Sequence, residues 1–150
     1  MQRRSSDKPV IYTIGYGSRS RAGFLRLLHK NKIEVLVDVR RWPNSKNEEF
    51  KRASIEGWLQ ESSIIYVWMG DSLGGFRRGG YEKYMSGAEF QKGVSKLLEL
   101  AEQNRVCIMC LEVNPKGCHR RHIARYLRGL GVVVKHIISD KKVVDDAELV

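Results

Sequence analysis

Five short apolar runs, at residues 10–14, 33–39, 64–68, 106–112 and 132–138, constrain this chain more than any other feature. Several are too continuously apolar to have one wet face. The run at 33–39 reads Ile-Glu-Val-Leu-Val-Asp-Val, which suits a strand covered on both sides. Helix-patterned stretches lie between the runs. Ser20 is placed to cap a helix carrying Phe24, Leu25, Leu27 and Leu28. Residues 53–61 present Ile55, Trp58 and Leu59, and residues 88–104 present Phe90, Val94, Leu97, Leu98 and Ala101. Residues 118–130 present Ile123, Leu127 and Leu130, with Gly131 suited to the cap. Strand–helix alternation of this kind predicts one three-layer α/β domain. Its mostly parallel sheet has about five strands, with helices on both faces.

Length supports a single domain, taken as residues 10–139, between a flexible segment at 1–9 and a surface or frayed tail at 140–150. No run approaches the ~18 apolar residues of a membrane span. The opening residues carry charge without an apolar signal region, so the expectation is a cytoplasmic protein with no membrane partner. Three cysteines cannot all pair within one monomer, which suits a reducing compartment. The formal charge of +10 favours anionic partners, either phosphate-containing ligands or nucleic acid, although solubility alone accounts for many basic proteins. Nothing in the chain specifies an oligomeric state.

Parallel strands share one C-terminal edge, where sheet folds of this class build their sites. Polar residues gather there: Gly15, Gly17 and Ser18 after the first strand, Asp38 and Arg40 after the second, and Glu112 to Arg120 after the fourth. Gly15-Tyr-Gly-Ser18 leads toward a helix and could bring backbone close to an anion. Ser20 breaks the full dinucleotide pattern, so a plain tight turn is the competing reading. Alternation puts Asp38 and Arg40 on one face, either paired with each other or serving as base and anion holder. Cys118 opens the last helix, where a thiolate is favoured, but a small buried packing residue is the stronger reading for cysteine. No arginine stands six residues after Cys118, where a phosphatase loop needs one, because position 124 is Ala. Cys110, Glu112, Cys118 and His119 have a spacing unlike a zinc knuckle, so no structural zinc is expected. Asp38 or Glu112 would suit Mg²⁺ better. Trp42, Phe76 and Tyr81 stand among Arg40, Arg41, Lys46, Arg77 and Arg78, a mixture fitted to exposed bases.

Tyr12-Thr-Ile-Gly15, Leu36-Val-Asp-Val-Arg40, Leu73-Gly-Gly75, Met109-Cys-Leu-Glu112, Pro115, Cys118-His-Arg120 and His136-Ile137 occur in an order and spacing that resembles domain-of-unknown-function family 488. The resemblance spans roughly residues 12–137 and implies a compact α/β domain. It also groups Gly15, Asp38, Arg40, Cys110, Glu112, Cys118, His119 and Arg120 into one constellation. It supplies no activity. Family members commonly carry Gly-His-Ser where this chain has Gly15-Tyr-Gly-Ser18.

Three functional readings follow. The first is an enzyme acting on a phosphate-containing substrate. Arg40 and Arg120 hold the anion, Asp38 or Glu112 acts as acid, base or Mg²⁺ ligand, and His119 donates a proton. The second is a nucleic-acid-binding module without chemistry, using Trp42, Phe76 and Tyr81. The third is thiol or sulfur-transfer chemistry at Cys118.

Overall fold

All five side chains of β4 (Val106–Cys110) are buried, which requires cover on both faces of the strand. The computed structural model, describing residues 9–149, supplies that cover. β4 lies between β1 (Val10–Gly15) and β2 (Val35–Asp38), parallel to both. β3 (Ile65–Trp68) runs parallel beside β2, and β5 (Val133–Ser139) parallel beside β1. An antiparallel β6 (Lys142–Asp145) closes the edge, giving the order β3-β2-β4-β1-β5-β6. The expected α/β sandwich is therefore present, with one strand more than the apolar runs announce.

Two helix layers divide the core. On one face α1 (Arg21–Lys30) and α2 (Arg52–Glu61) bring Phe24, Leu27, Ile55 and Trp58 against Tyr12, Ile14, Leu36, Cys107 and Met109. Ser20 caps α1, accepting from the Gly23 N–H at 3.0 Å. On the other face, Phe90, Val94 and Leu97 come from one long helix (Ala88–Gln103) and Ile123 and Leu127 from another (Arg120–Gly129). They pack on Ile11, Val37, Val106, Ile108 and Cys110. Side-chain period two thus sends Cys107 and Cys110 to opposite layers.

Three boundaries differ from the pattern. The loop expected at residues 70–80 opens with a short helix, α3 (Gly70–Leu73), and is followed by a second, α4 (Tyr81–Tyr84). The long helix Ala88–Gln103 is then α5. The helix expected from Cys118 starts later, as α6 (Arg120–Gly129). Pro115–Gly117 turn first as a 3₁₀ segment, and Cys118 is extended at φ −137°, ψ 155°. Residues 1–8 lie outside the described residues, and so does most of the expected N-terminal segment.

The tail lies largely at the surface, as expected, but it is not frayed. Beyond Ser139 the chain turns back as β6 and ends in a 3₁₀ turn, Asp146–Glu148. Buried Asp146 anchors it. One carboxylate oxygen accepts from His136 Nε2 at 2.7 Å, and the other takes Arg128 at 3.2 Å. Because Nε2–H donates to the carboxylate, Nδ1 of neutral His136 is free to accept from the Thr13 hydroxyl at 2.5 Å. No helix among the described residues is long and apolar enough to cross a membrane.

Burial lowers the His136 pKa, against the opposing pull of Asp146. The unfolded chain therefore takes up this proton more readily than the folded one. The contribution of neutral His136 is complete above the unfolded histidine value of about 6.5 and declines below it. Asp146→Ala leaves His136 Nε2 without its acceptor and should cost about 1–3 kcal/mol in a urea melt. An unchanged midpoint would show that the tail carries no weight in the fold.

Candidate functional site

Asp38 and Arg40 come together, but not as an open site. Both are even-numbered continuations of β2, so they share the α1/α2 face with Leu36. The guanidinium grips the carboxylate in parallel, Nε to Oδ1 at 2.9 Å and Nη2 to Oδ2 at 2.8 Å. Nη1 donates to the carbonyls of Phe50 at 2.7 Å and Asn44 at 3.3 Å. Tyr66 adds its hydroxyl to Asp38 Oδ2 at 2.5 Å. Both carboxylate oxygens are thus occupied within the protein, as are the three guanidinium nitrogens, and the expected anion holder and Mg²⁺ ligand form an internal pair. Hydrogen bonding to Asp38 raises the Arg40 pKa despite burial, and burial beside the Asp38 charge raises that of Tyr66.

The Gly15-Tyr-Gly-Ser18 turn also serves the fold. A β-carbon on Gly15 would lie 1.8 Å from the Glu112 carbonyl oxygen, so the glycine admits the neighbouring chain rather than a ligand. Gly17 has φ +49° and gives its N–H to the Leu111 carbonyl at 2.8 Å. Ser18 is exposed beside this turn.

On the opposite face three reactive groups meet. Cys110 ends β4 on the α6 side, and extended Cys118 returns over it, leaving Sγ to Sγ 2.6 Å apart. His119 Nδ1 stands 3.6 Å from Cys118 Sγ, while its Nε2 lies 3.2 Å from the Val39 carbonyl. A carbonyl only accepts, so Nε2 carries hydrogen, and a charged ring points its second N–H at the sulfur. The hydrogen bond shared with Cys110 acts most strongly on Cys118, His119 adds a hydrogen bond and charge, and the Arg120 backbone N–H contributes another bond. Together they outweigh burial and hold the Cys118 thiol well below the usual range. The same contact, with burial, pushes Cys110 up, and burial pushes up Cys107. Cys118 is half-buried, whereas Cys107 and Cys110 are buried.

Arg120 lies beneath this cluster, fully buried. Its Nη2 donates to the carbonyls of Glu112 at 2.7 Å and Val113 at 2.8 Å, tying the end of β4 to α6. Its Nε and Nη1 meet no acceptor among the described residues. Its charge works against the upward push on Cys110 and Cys107 without overcoming it. Glu112 is exposed at the rim, with its backbone bonded to Cys110. No grouping of three or more His, Cys, Asp or Glu side chains suited to a metal occurs among the described residues.

The aromatic residues divide as well. Trp42 and Phe76 stand in solvent. Tyr81 does not: its hydroxyl donates to the Leu73 carbonyl at 2.7 Å, and its ring packs on Phe90, His119 and His122. The expected constellation is therefore two sites back to back, a closed ion pair on one face and a thiol cluster on the other. Spacing along the chain hides the Cys110–Cys118 contact. The signal that could reveal it is parity, because Cys110 shares the α6 face with Val106 and Ile108.

At about pH 6, where an ordinary thiol near 8.5 is almost wholly protonated, iodoacetamide should modify Cys118 well ahead of Cys107 and Cys110, read by peptide mass. His119→Ala should slow that labelling. Equal rates at all three cysteines would remove the basis for a privileged thiolate.

Neither a curated protein nor a solved structure matches the chain. A family model, described as "Domain of unknown function DUF488", matches residues 20–127. That span runs from the cap of α1 into α6 and takes in Asp38, Arg40, Cys110, Cys118, His119 and Arg120. With well over half of its length inside the match, the chain belongs to this DUF488 family.

Proposed function

We propose that Cys118 and Cys110 form a dithiol site for thiol–disulfide exchange, with Cys118 as the attacking thiolate. The observation that carries this reading is the placement of Cys118 Sγ 2.6 Å from Cys110 Sγ and 3.6 Å from His119 Nδ1. A low-pKa thiol with a second thiol poised to resolve its adducts is the arrangement such chemistry needs.

The steps balance as follows. The Cys118 thiolate attacks one sulfur of a substrate disulfide; a mixed disulfide forms and the other substrate sulfur leaves as thiolate. His119, when charged, is placed to give that leaving sulfur its proton. Cys110 then loses its proton to solvent and attacks Cys118 Sγ. A Cys110–Cys118 disulfide forms, and the second substrate thiolate is released and takes up a proton. The substrate gains two electrons and two protons, and an external dithiol restores the protein. The charge of buried Arg120 opposes the upward push on Cys110 and so lowers the cost of forming that thiolate.

The phosphate-enzyme reading draws less support. It needs open guanidinium edges at Arg40 and Arg120, and the first is fully engaged while the second is buried.

Cys110→Ser tests the order of events. Treated with glutathione disulfide, this variant should accumulate a stable glutathione adduct on Cys118. The unaltered protein should pass through that adduct to an internal disulfide. An adduct that persists equally in both would end the resolving role of Cys110, and the absence of any adduct would end the proposal.

A further inference from the structure

We infer that Trp42 and Phe76 form a stacking platform for single-stranded nucleic acid, a binding surface distinct from the thiol chemistry. Phe76 is 82% exposed and Trp42 62%, and their ring centroids lie 5.5 Å apart with planes tilted by 39°. Scattered exposed apolar residues need no explanation, but this pair has two features that do.

Backbone strain is the first. Phe76 has φ +58°, a region that a bulky residue occupies only under constraint. The conformation projects the ring into water, so neither local backbone preference nor burial accounts for it.

Rigidity is the second. The segment holding Phe76 is braced from several sides. Arg41 donates to the Phe76 carbonyl at 2.5 Å, and Arg77 donates to the carbonyls of Gly74, Gly70 and Asp71. Tyr81 and Tyr84 bond the carbonyls of Leu73 and Ser72. Gly75 fits against the His119 ring, where a β-carbon would come within 3.2 Å of Nδ1. The ring is therefore held outward by the loop, with little freedom to fold back. Preorganised exposure lowers the entropy lost on binding.

Charge selects the occupant. The Arg41 guanidinium lies 5.1 Å from the Trp42 ring centroid, and Arg78 and Lys46 are exposed on the same two loops. Acidic Glu48, Glu49 and Asp71 lie on or next to those loops, with Glu48 paired to Lys51 and Glu49 to Arg21. The whole chain carries +10. Two tilted rings flanked by cations match unpaired bases on a phosphate strand, since every base offers a π-face and every nucleotide a negative charge. A duplex hides those faces, and an apolar protein partner would not need the cations.

Fluorescence anisotropy with a labelled single-stranded oligonucleotide tests this. Binding should weaken as salt rises. Trp42→Ala should weaken it by roughly 5- to 150-fold, the effect of losing one stacked base. Phe76→Gly should weaken it comparably while leaving thermal stability equal or higher, because glycine relieves the positive φ. Three outcomes would overturn the inference: no binding at low salt, equal affinity for duplex and single strand with neither substitution mattering, or a concentration-dependent dimer abolished by Trp42→Ala. Cys118 labelling measured in parallel reports on the thiol site alone, so failure of either reading is seen separately.

Discussion

The buried Asp38–Arg40 pair holds the backbone against which the rest of the functional edge leans. Its two residues flank Val39, whose carbonyl receives His119 Nε2 from the opposite layer. The Arg40 carbonyl takes the Trp68 indole N–H at 2.8 Å, and Gly70 packs so closely on that carbonyl that a β-carbon would lie 1.9 Å away. The pair therefore fixes the end of β2, the entry to α3 and the orientation of the imidazole beside Cys118. Removing one partner strands a buried charge at about 3–5 kcal/mol, whereas replacing both with apolar groups can be neutral.

Strand parity then separates structure from chemistry. Residues 36, 38 and 40 face α1 and α2, where aromatic packing by Tyr16, Phe50 and Trp58 surrounds the ion pair. Residues 106, 108 and 110 face α5 and α6, where Cys110 meets Cys118. The sheet thus separates a closed electrostatic clamp from a half-open thiol cluster, and His119 reaches from the cluster to the Val39 carbonyl between the clamp's two residues. Proximity of the two cysteines also explains why their acidities diverge. The hydrogen bond between them lowers the Cys118 pKa and raises that of Cys110, which favours thiolate at Cys118.

Much of this architecture is legible in the chain. Continuous apolar runs announce a covered parallel sheet, and Ser20 and Gly131 mark helix limits that the structure keeps to within a few residues. What escapes are contacts between elements distant in sequence. His136 and Asp146 meet only because β6 folds back, and Val143-Val144 is too short an apolar run to stand out as a strand within a charged stretch. The helix predicted from Cys118 starts at Arg120 because Pro115 sets up a 3₁₀ turn first. The site was visible as a set of residue types at one sheet edge, but not as two sites. Alternation assigns Asp38 and Cys110 to opposite faces only once the strand register is known. Trp42 and Phe76 are exposed as their polar surroundings suggest, while Tyr81 is drawn inward by its hydrogen bond to Leu73.

The central claim is that the folded protein holds one thiolate at Cys118. Ultraviolet thiolate absorbance followed against pH measures this without any reagent or substrate. The account predicts that one thiolate persists in the folded protein down to below about pH 6, disappears with Cys118→Ser, and is lost when the chain is unfolded. Absorbance that rises only near the ordinary thiol value of about 8.5, unchanged by that substitution, would contradict it.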